Sequence, residues 1–379
     1  MSFEATRTAG LQRLQAFVPQ AGGAYQSGRN FDLSASSRSV VSQLSPWLRH
    51  RLISETEVLD AVLHLHSPKD AMSFIQEVFW RGYFKGWLEQ HPSVWSSFQN
   101  NLHQQARNIP DGYTDAIQGQ TGIACFDHWS RELRSTGYLH NHARMWFASI
   151  WIFTLRLPWE LGAAFFLNHL HDADPASNTL SWRWVAGLHT KGKHYLATAE
   201  NIVRFTDGQF FPKGQLNEYA TALDEPVEHP LVPLPFDEIP PSEKALRLIT
   251  EEDCLLSLNA TSETLEVLGI VSPDASGFAQ GAVQHTTSQL GGQTFIGHNW
   301  SDAIAKAAER CGTRAVVTSY IPNGFVRDGL HDARRKLKAQ GITLYTLRRP
   351  YDSMVWPHTA KGFFKLKKQI PQILDALFR

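Results

Sequence analysis

Three short runs in this sequence combine carboxylate, amide, guanidinium and indole groups at spacings that could do chemistry. Glu77-x-x-Trp80-Arg81 lies in an apolar pattern of helical period, and a separation of three puts Glu77 and Trp80 on one helix face. A carboxylate beside an aromatic plane can grip a heterocycle, although the same residues also describe a surface Glu–Arg pair beside a core Trp. His140-Asn141-His142-Ala143-Arg144-Met145 pairs His140 with Arg144, and Asn141 with Met145, at a spacing of four. A metal held by His140 and His142 is disfavoured, because residues two apart on a helix point in different directions. The third run, His171-Asp172-Ala173-Asp174-Pro175-Ala176-Ser177-Asn178, is followed by Trp182-Arg183-Trp184. Two carboxylates and an amide suggest a divalent-cation loop, but a full set of oxygen ligands is missing. No metal site is expected. The same groups can accept hydrogen bonds from ribose or ribityl hydroxyls, and the Asn amide can face a ring nitrogen.

The elements that must position these runs are mostly helices. Apolar residues recur at helical spacing over 58–63, 74–88 and 159–170. Ser54 before Glu55-Thr56-Glu57, and Ser67-Pro68, read as helix starts. Prolines crowd residues 225–242, including Pro226, Pro230, Pro233, Pro235 and Pro240-Pro241, as in a linker or extended surface strap. Beyond them strands are expected at 255–258, 264–271, 315–320 and 342–347, with helices at 301–310 and 327–340. That alternation implies a largely parallel sheet. The expected division is a helical domain over 1–224, a Pro-rich linker over 225–243 and an α/β domain over 244–379, mostly α as a whole.

Composition narrows the class only loosely. Lys+Arg and Asp+Glu both total 36 among 379 residues. This neutrality argues against a chain that coats nucleic acid, but allows a local basic face. The three cysteines, Cys125, Cys254 and Cys311, are far apart, so neither a disulfide scaffold nor a four-cysteine cluster is expected. No basic-then-apolar leader opens the chain, and the apolar stretch 145–157 is short and carries Arg156. A cytoplasmic monomer is the expectation. Of twelve tryptophans, ten precede residue 185, which by itself describes an aromatic-rich core.

Six segments in order and spacing resemble the helical flavin domain of the photolyase and cryptochrome family. They are Ser42-Gln43-Leu44-Ser45-Pro46-Trp47-Leu48, Trp80-Arg81, Gly119-Gln120-Thr121-Gly122, the run from Thr136 to Met145, the run from Asp172 to Asn178, and Trp182-Arg183-Trp184. The resemblance covers about Tyr25 to Thr206 and implies FAD folded into a U. It implies phosphate contacts at Tyr25, Ser42, Leu44 and Ser45, and further cofactor contacts at Arg81 and Asn141. Arg144 and Asp172 resemble an ion pair flanking the flavin, Asp174 the residue at its N3 and O2 edge, and Asn178 the one facing N5. Trp182 and Trp159 resemble the first two members of an electron-carrying tryptophan chain. The third does not align, which leaves Trp151 or Trp95 as another exit.

Glu77, Trp80, Asn141, Met145 and Trp184 resemble the pocket of enzymes that repair cyclobutane pyrimidine dimers flipped out of DNA. The implied activity is a carbon–carbon lyase driven by light, with dimer-containing DNA as partner. A cryptochrome-like blue-light photoreceptor without repair is the alternative, and a light-independent flavoprotein a third reading. Gly82 stands where the family has an acidic residue, and His142 where Arg is common. Residues 195–202 resemble a bacterial branch that carries an iron–sulfur cluster, which three scattered cysteines could not bind. The segments 318–328, 341–345 and 362–365 resemble part of the family's antenna domain, here placed after the helical one. Such a domain is compatible with a folate or deazaflavin antenna, but no residue supports one.

Overall fold

The computed structural model describes residues 3–33, 40–236, 238–239, 244–255, 257 and 264–378. Helices dominate it, together with a parallel five-stranded sheet. Contacts divide the chain into two compact units: Met1–Pro19, Ser42–Gln90 and Leu231–Arg379 form one, Gln20–Val41 and His91–Pro230 the other. The boundaries expected near residues 224 and 244 do not follow these units.

In the first unit the sheet runs β1 (Ala245–Ile249), β2 (Thr264–Val271), β3 (Gln293–Ile296), β4 (Ala315–Ser319) and β5 (Thr343–Leu347), in spatial order β3-β2-β1-β4-β5 with every pair parallel. β1 and β4 are buried at every position, as central strands covered on both faces must be. Leu246, Leu248, Leu268, Ile270 and Val316 pack with Trp300, Ile304 and Leu330 of the crossover helices. The helices Trp300–Arg310 and Phe325–Ala339 and the strands β2, β4 and β5 fall within two residues of expectation.

The strand expected at 255–258 is a correction. Thr250 bridges Asp253, and Asp253 Oδ1 accepts from Leu255 N at 3.1 Å, so the chain turns after β1. Leu256 and Leu258 lie outside the described residues. β1 carries no clear strand signal in the sequence, because Arg247 interrupts its apolar run and an acidic cluster follows it.

The helix Glu55–Leu63 starts with a full capping box between Ser54 and Glu57. Ser67 caps a turn rather than a helix, and the long helix Met72–Gln90 begins after it. The C-terminal segment is laid along this helix. A Cβ on Gly82 would come within 2.9 Å of Val355, and one on Gly86 within 2.7 Å of Trp356. Only the bare backbone at this spacing of four admits so close an approach. Gly82, odd in its family position, is thereby accounted for. Glu89 adds hydrogen bonds from the Tyr320 hydroxyl and Asn323 N, each at 2.6 Å.

The second unit is built from short helices around a buried aromatic core that includes Trp129, Trp146, Phe147, Trp151 and Trp182. The helix Asn141–Ser149 runs into a π-helical turn, Ile150–Thr154, where Leu155 N bonds to Ile150 O at 2.9 Å. The Pro-rich stretch has no regular structure where it is described. Its Glu225 and His229 bond within the second unit, to Arg183 and Ser93, and its Val232 within the first, to Gln90. Pro240 and Pro241 lie outside the described residues.

Candidate functional site

The polar centre of the second unit is Arg144. It lies in the first turn of the helix Asn141–Ser149, which His140 caps a few residues after Gly137, at φ 65°, ends the preceding helix. Its Nε donates to Leu139 O at 3.0 Å, and its two Nη atoms meet Asp172 Oδ1 and Oδ2 at 3.1 and 3.0 Å. This fork on a carboxylate fixes both side chains. The Asp172 side chain is buried whereas that of Arg144 remains 24% exposed, so the pair offers a charged edge to a ligand.

Asp174 is the N-cap of the helix Pro175–Ala186, with its Oδ1 accepting from Ser177 N at 2.9 Å and Pro175 at the first helical position. Both are strong start signals. Asn178, one turn in, gives its Nδ2 to Ala163 O at 2.9 Å. That bond fixes the amide orientation and leaves Oδ1 as an acceptor. Ser177 Oγ and Trp182 Nε1 are buried without a protein partner among the described residues. Each costs about 1–3 kcal/mol in that state, and both can still pair with a polar ligand.

Asn141 is exposed at the first position of its helix, and Met145 is half-buried one turn on. Trp184 is 38% exposed and stacks on Tyr195 at 5.8 Å. His140 caps the same helix through the His142 N–H. His142 is turned to the backbone: its Nδ1 donates to Asn30 O at 2.8 Å, and its ring stacks on Trp146 at 4.2 Å. Burial pushes this imidazole below its ordinary value. A neutral ring at pH 7 carries no charge with which to attract an anion.

The remaining expected residues divide between the units. Tyr25 is buried in the second, near the Arg29 guanidinium. Ser42, Leu44 and Ser45 belong to the first. There Gln43 adopts φ 53°, Ser42 O accepts from Arg13 Nε at 2.7 Å, and Leu44 precedes the short helix Ser45–Arg49. Arg81 acts electrostatically on Glu55 and Tyr351. Glu77 and Trp80 lie on the helix Met72–Gln90, and the Trp80 indole is stacked on Phe363.

The turn Gly119–Gly122 is held by Asp127, which accepts from Thr121 N, Thr121 Oγ1 and Gly122 N at 2.7–3.0 Å. Two glycines with φ 68° and 81° make the turn possible. Asp127 is a residue the motif alone does not reveal. Among the described residues, Trp182 touches Trp151 (6.2 Å, 87°), Phe147 and Phe166 rather than Trp159. Trp159 packs on Phe98 and beneath the Arg183 guanidinium. Gly162 makes room for the Trp182 indole, since any Cβ there would overlap its rim.

Guanidinium, carboxylate, amide and hydroxyl groups around one helix start suit a planar ring with donor and acceptor edges. Residues 74–214 match the family model of the FAD-binding domain of DNA photolyase. Residues 74–214 thus form a flavin domain of the photolyase type, with FAD as its cofactor. It is 33% identical over 213 residues to a deoxyribodipyrimidine photo-lyase of Synechococcus sp., covering 53% of this chain and 43% of that one. A deoxyribodipyrimidine photo-lyase of Streptomyces griseus is 33% identical over 170 residues, 44% of this chain and 35% of the other. A solved class III photolyase from Agrobacterium tumefaciens is 28% identical with a TM-score of 0.46, over 53% of this chain and 42% of that one. The chain spans less than half the length of the curated relatives it matches. Among the described residues no helix is long and apolar enough to cross a membrane.

Proposed function

We propose that this protein is a light-driven DNA-repair enzyme that splits cyclobutane pyrimidine dimers. The observation that carries the reading is the Arg144–Asp172 fork, 3.0–3.1 Å, set against the start of the helix that bears Asp174 and Asn178. Arg144 and Asp172 hold the flavin ring by charge and hydrogen bonds, and Asp174 takes its N3 and O2 edge. Asn178, locked by Ala163, presents Oδ1 to N5 and controls the proton there. Tyr25, Ser42, Leu44 and Ser45 hold the phosphates, with Arg81 and Asn141 as further cofactor contacts. When bound and reduced, FAD supplies the light-driven electron that opens the cyclobutane ring and takes it back afterwards.

The chain's own part in repair is to extract and orient the lesion. A dimer is already poorly stacked and so is cheaper to flip than a normal base pair. On this reading Glu77 accepts from a base edge, and Trp80, Asn141, Met145 and Trp184 are further lesion contacts. The two relatives named deoxyribodipyrimidine photo-lyase support this reading.

A cryptochrome-like photoreceptor is the second reading, and one observation favours it: Phe363 already covers a face of Trp80. The deciding experiment is incubation of reduced protein with a dimer-containing oligonucleotide under blue light, with a dark control. Light-dependent loss of the dimer is expected. Bound, photoreducible flavin without dimer loss would overturn the repair reading in favour of the sensor.

A further inference from the structure

We propose that photoreduction of the flavin draws its electrons through Trp182, Trp151 and Tyr113, with Tyr113 as the terminal donor at the surface. The inference rests on the reading of Trp182 as the ring beside the flavin, which the repair and sensor readings share.

The three rings are in unbroken contact. Trp182 meets Trp151 edge to face at 6.2 Å, and Trp151 meets Tyr113 edge to face at 5.9 Å and 90°. Trp182 and Trp151 are buried, whereas Tyr113, first residue of the helix Tyr113–Gln118, reaches solvent. The relay therefore spans from the interior to water in two steps. Its middle member is well placed to carry positive charge, since the Trp151 indole N–H donates to the Pro158 carbonyl at 2.9 Å. A carbonyl dipole aimed at the indole favours its oxidised, more acidic form.

The competing branch is worse on each count. Trp159 makes no ring contact with Trp182 among the described residues. The Arg183 guanidinium lies 5.9 Å from its ring centre, where a fixed positive charge opposes a second one. Onward contact from Trp159 passes through Phe98 to Trp95, and a phenylalanine ring is too hard to oxidise to serve as a stepping stone.

The electron count closes at each step. Trp182 gives one electron to the photoexcited, oxidised flavin and is refilled by Trp151. Trp151 is refilled by Tyr113, whose hydroxyl makes no hydrogen bond to the described protein and releases its proton to water. The neutral tyrosyl radical left behind cannot readily return the charge inward. A small thiol in solution then gives Tyr113 a hydrogen atom, and two such thiyl radicals couple to a disulfide.

The test is flash spectroscopy and electron paramagnetic resonance on flavin-loaded wild type, Tyr113→Phe, Trp151→Phe and Trp159→Phe, with flavin content and circular dichroism as folding controls. Wild type is expected to give a tyrosyl spectrum that narrows on ring deuteration of tyrosine. Tyr113→Phe should lose that spectrum and show a short-lived tryptophan radical, Trp151→Phe should lose both the tyrosyl spectrum and that tryptophan radical, and Trp159→Phe should match wild type. Flavin photoreduction without a tyrosyl signal, or its abolition by Trp159→Phe, overturns the relay. Loaded wild type that forms no radical overturns the role of Trp182 as well, while dimer repair by chemically reduced protein is read separately.

Discussion

The Trp80 indole lies flat against the Phe363 ring, with centroids 3.8 Å apart and planes 9° from parallel. This is the arrangement a nucleobase would take on the same indole. Phe363 opens the short helix Phe363–Lys367, and the chain before it is seated on Gly82 and Gly86. The C-terminal segment thus gives Trp80 an intramolecular stacking partner.

Replacing Phe363 by Leu keeps bulk but removes the stack. Stability is expected to fall by about 1 kcal/mol, while affinity for a dimer-containing oligonucleotide rises because Trp80 no longer exchanges one ring for another. Fluorescence titration with damaged and undamaged strands measures both. Unchanged discrimination between them would remove Trp80 from the lesion pocket.

Asp172→Asn leaves the Arg144 fork facing a neutral amide. Loss of a charge-assisted pair of this kind costs about 1–3 kcal/mol, discounted here because Arg144 is partly exposed. Roughly tenfold weaker retention of FAD is expected, read as flavin content after purification and by titration of the apoprotein. A variant that purifies fully yellow would falsify the assignment.

Gly162→Ala improves helix propensity yet should destabilise the protein, because the new methyl overlaps Trp182 and comes within 2.9 Å of Trp151. Overpacking of this sort costs about 1–3 kcal/mol. Chemical denaturation reports the loss, and slower photoreduction is expected from the displaced indole.

His189 gives the fold a pH dependence. Burial first, then the neighbouring positive charges of Arg183 and His91, hold its imidazole down at about 4, from an ordinary value of 6.5. The unfolded chain therefore takes up a proton that the native one refuses. The stabilisation is complete above pH 6.5 and is lost as pH falls towards 4. About 2 kcal/mol is at stake across that window, after allowance for the ring's residual exposure. Urea unfolding of wild type and His189→Gln should diverge there, with the variant's curve the flatter.

Local order was written openly in the sequence. The capping box at Ser54 and the helical period of 74–88 are each set by neighbours three or four residues apart, so a linear reading finds them. Arg144 and Asp172 lie 28 residues apart, and before the fold only the resemblance to the flavin domain paired them. Tertiary structure decided what depends on segments distant in the chain. Gly82 and Gly86, read along the sequence, are merely two weak helix formers; their use as a seat appears only once residues 351–359 arrive. The spacing of four was a signal, but its partner lay some 270 residues away. Strand β1 hid behind Arg247, one of whose guanidinium N–H groups reaches Leu255 O only after the chain has turned. The ring that touches Trp182 was likewise fixed by how two helices and a π-helical turn pack around Gly162. Spacing in sequence determines which side chains share a face, whereas burial of those faces chooses their partners.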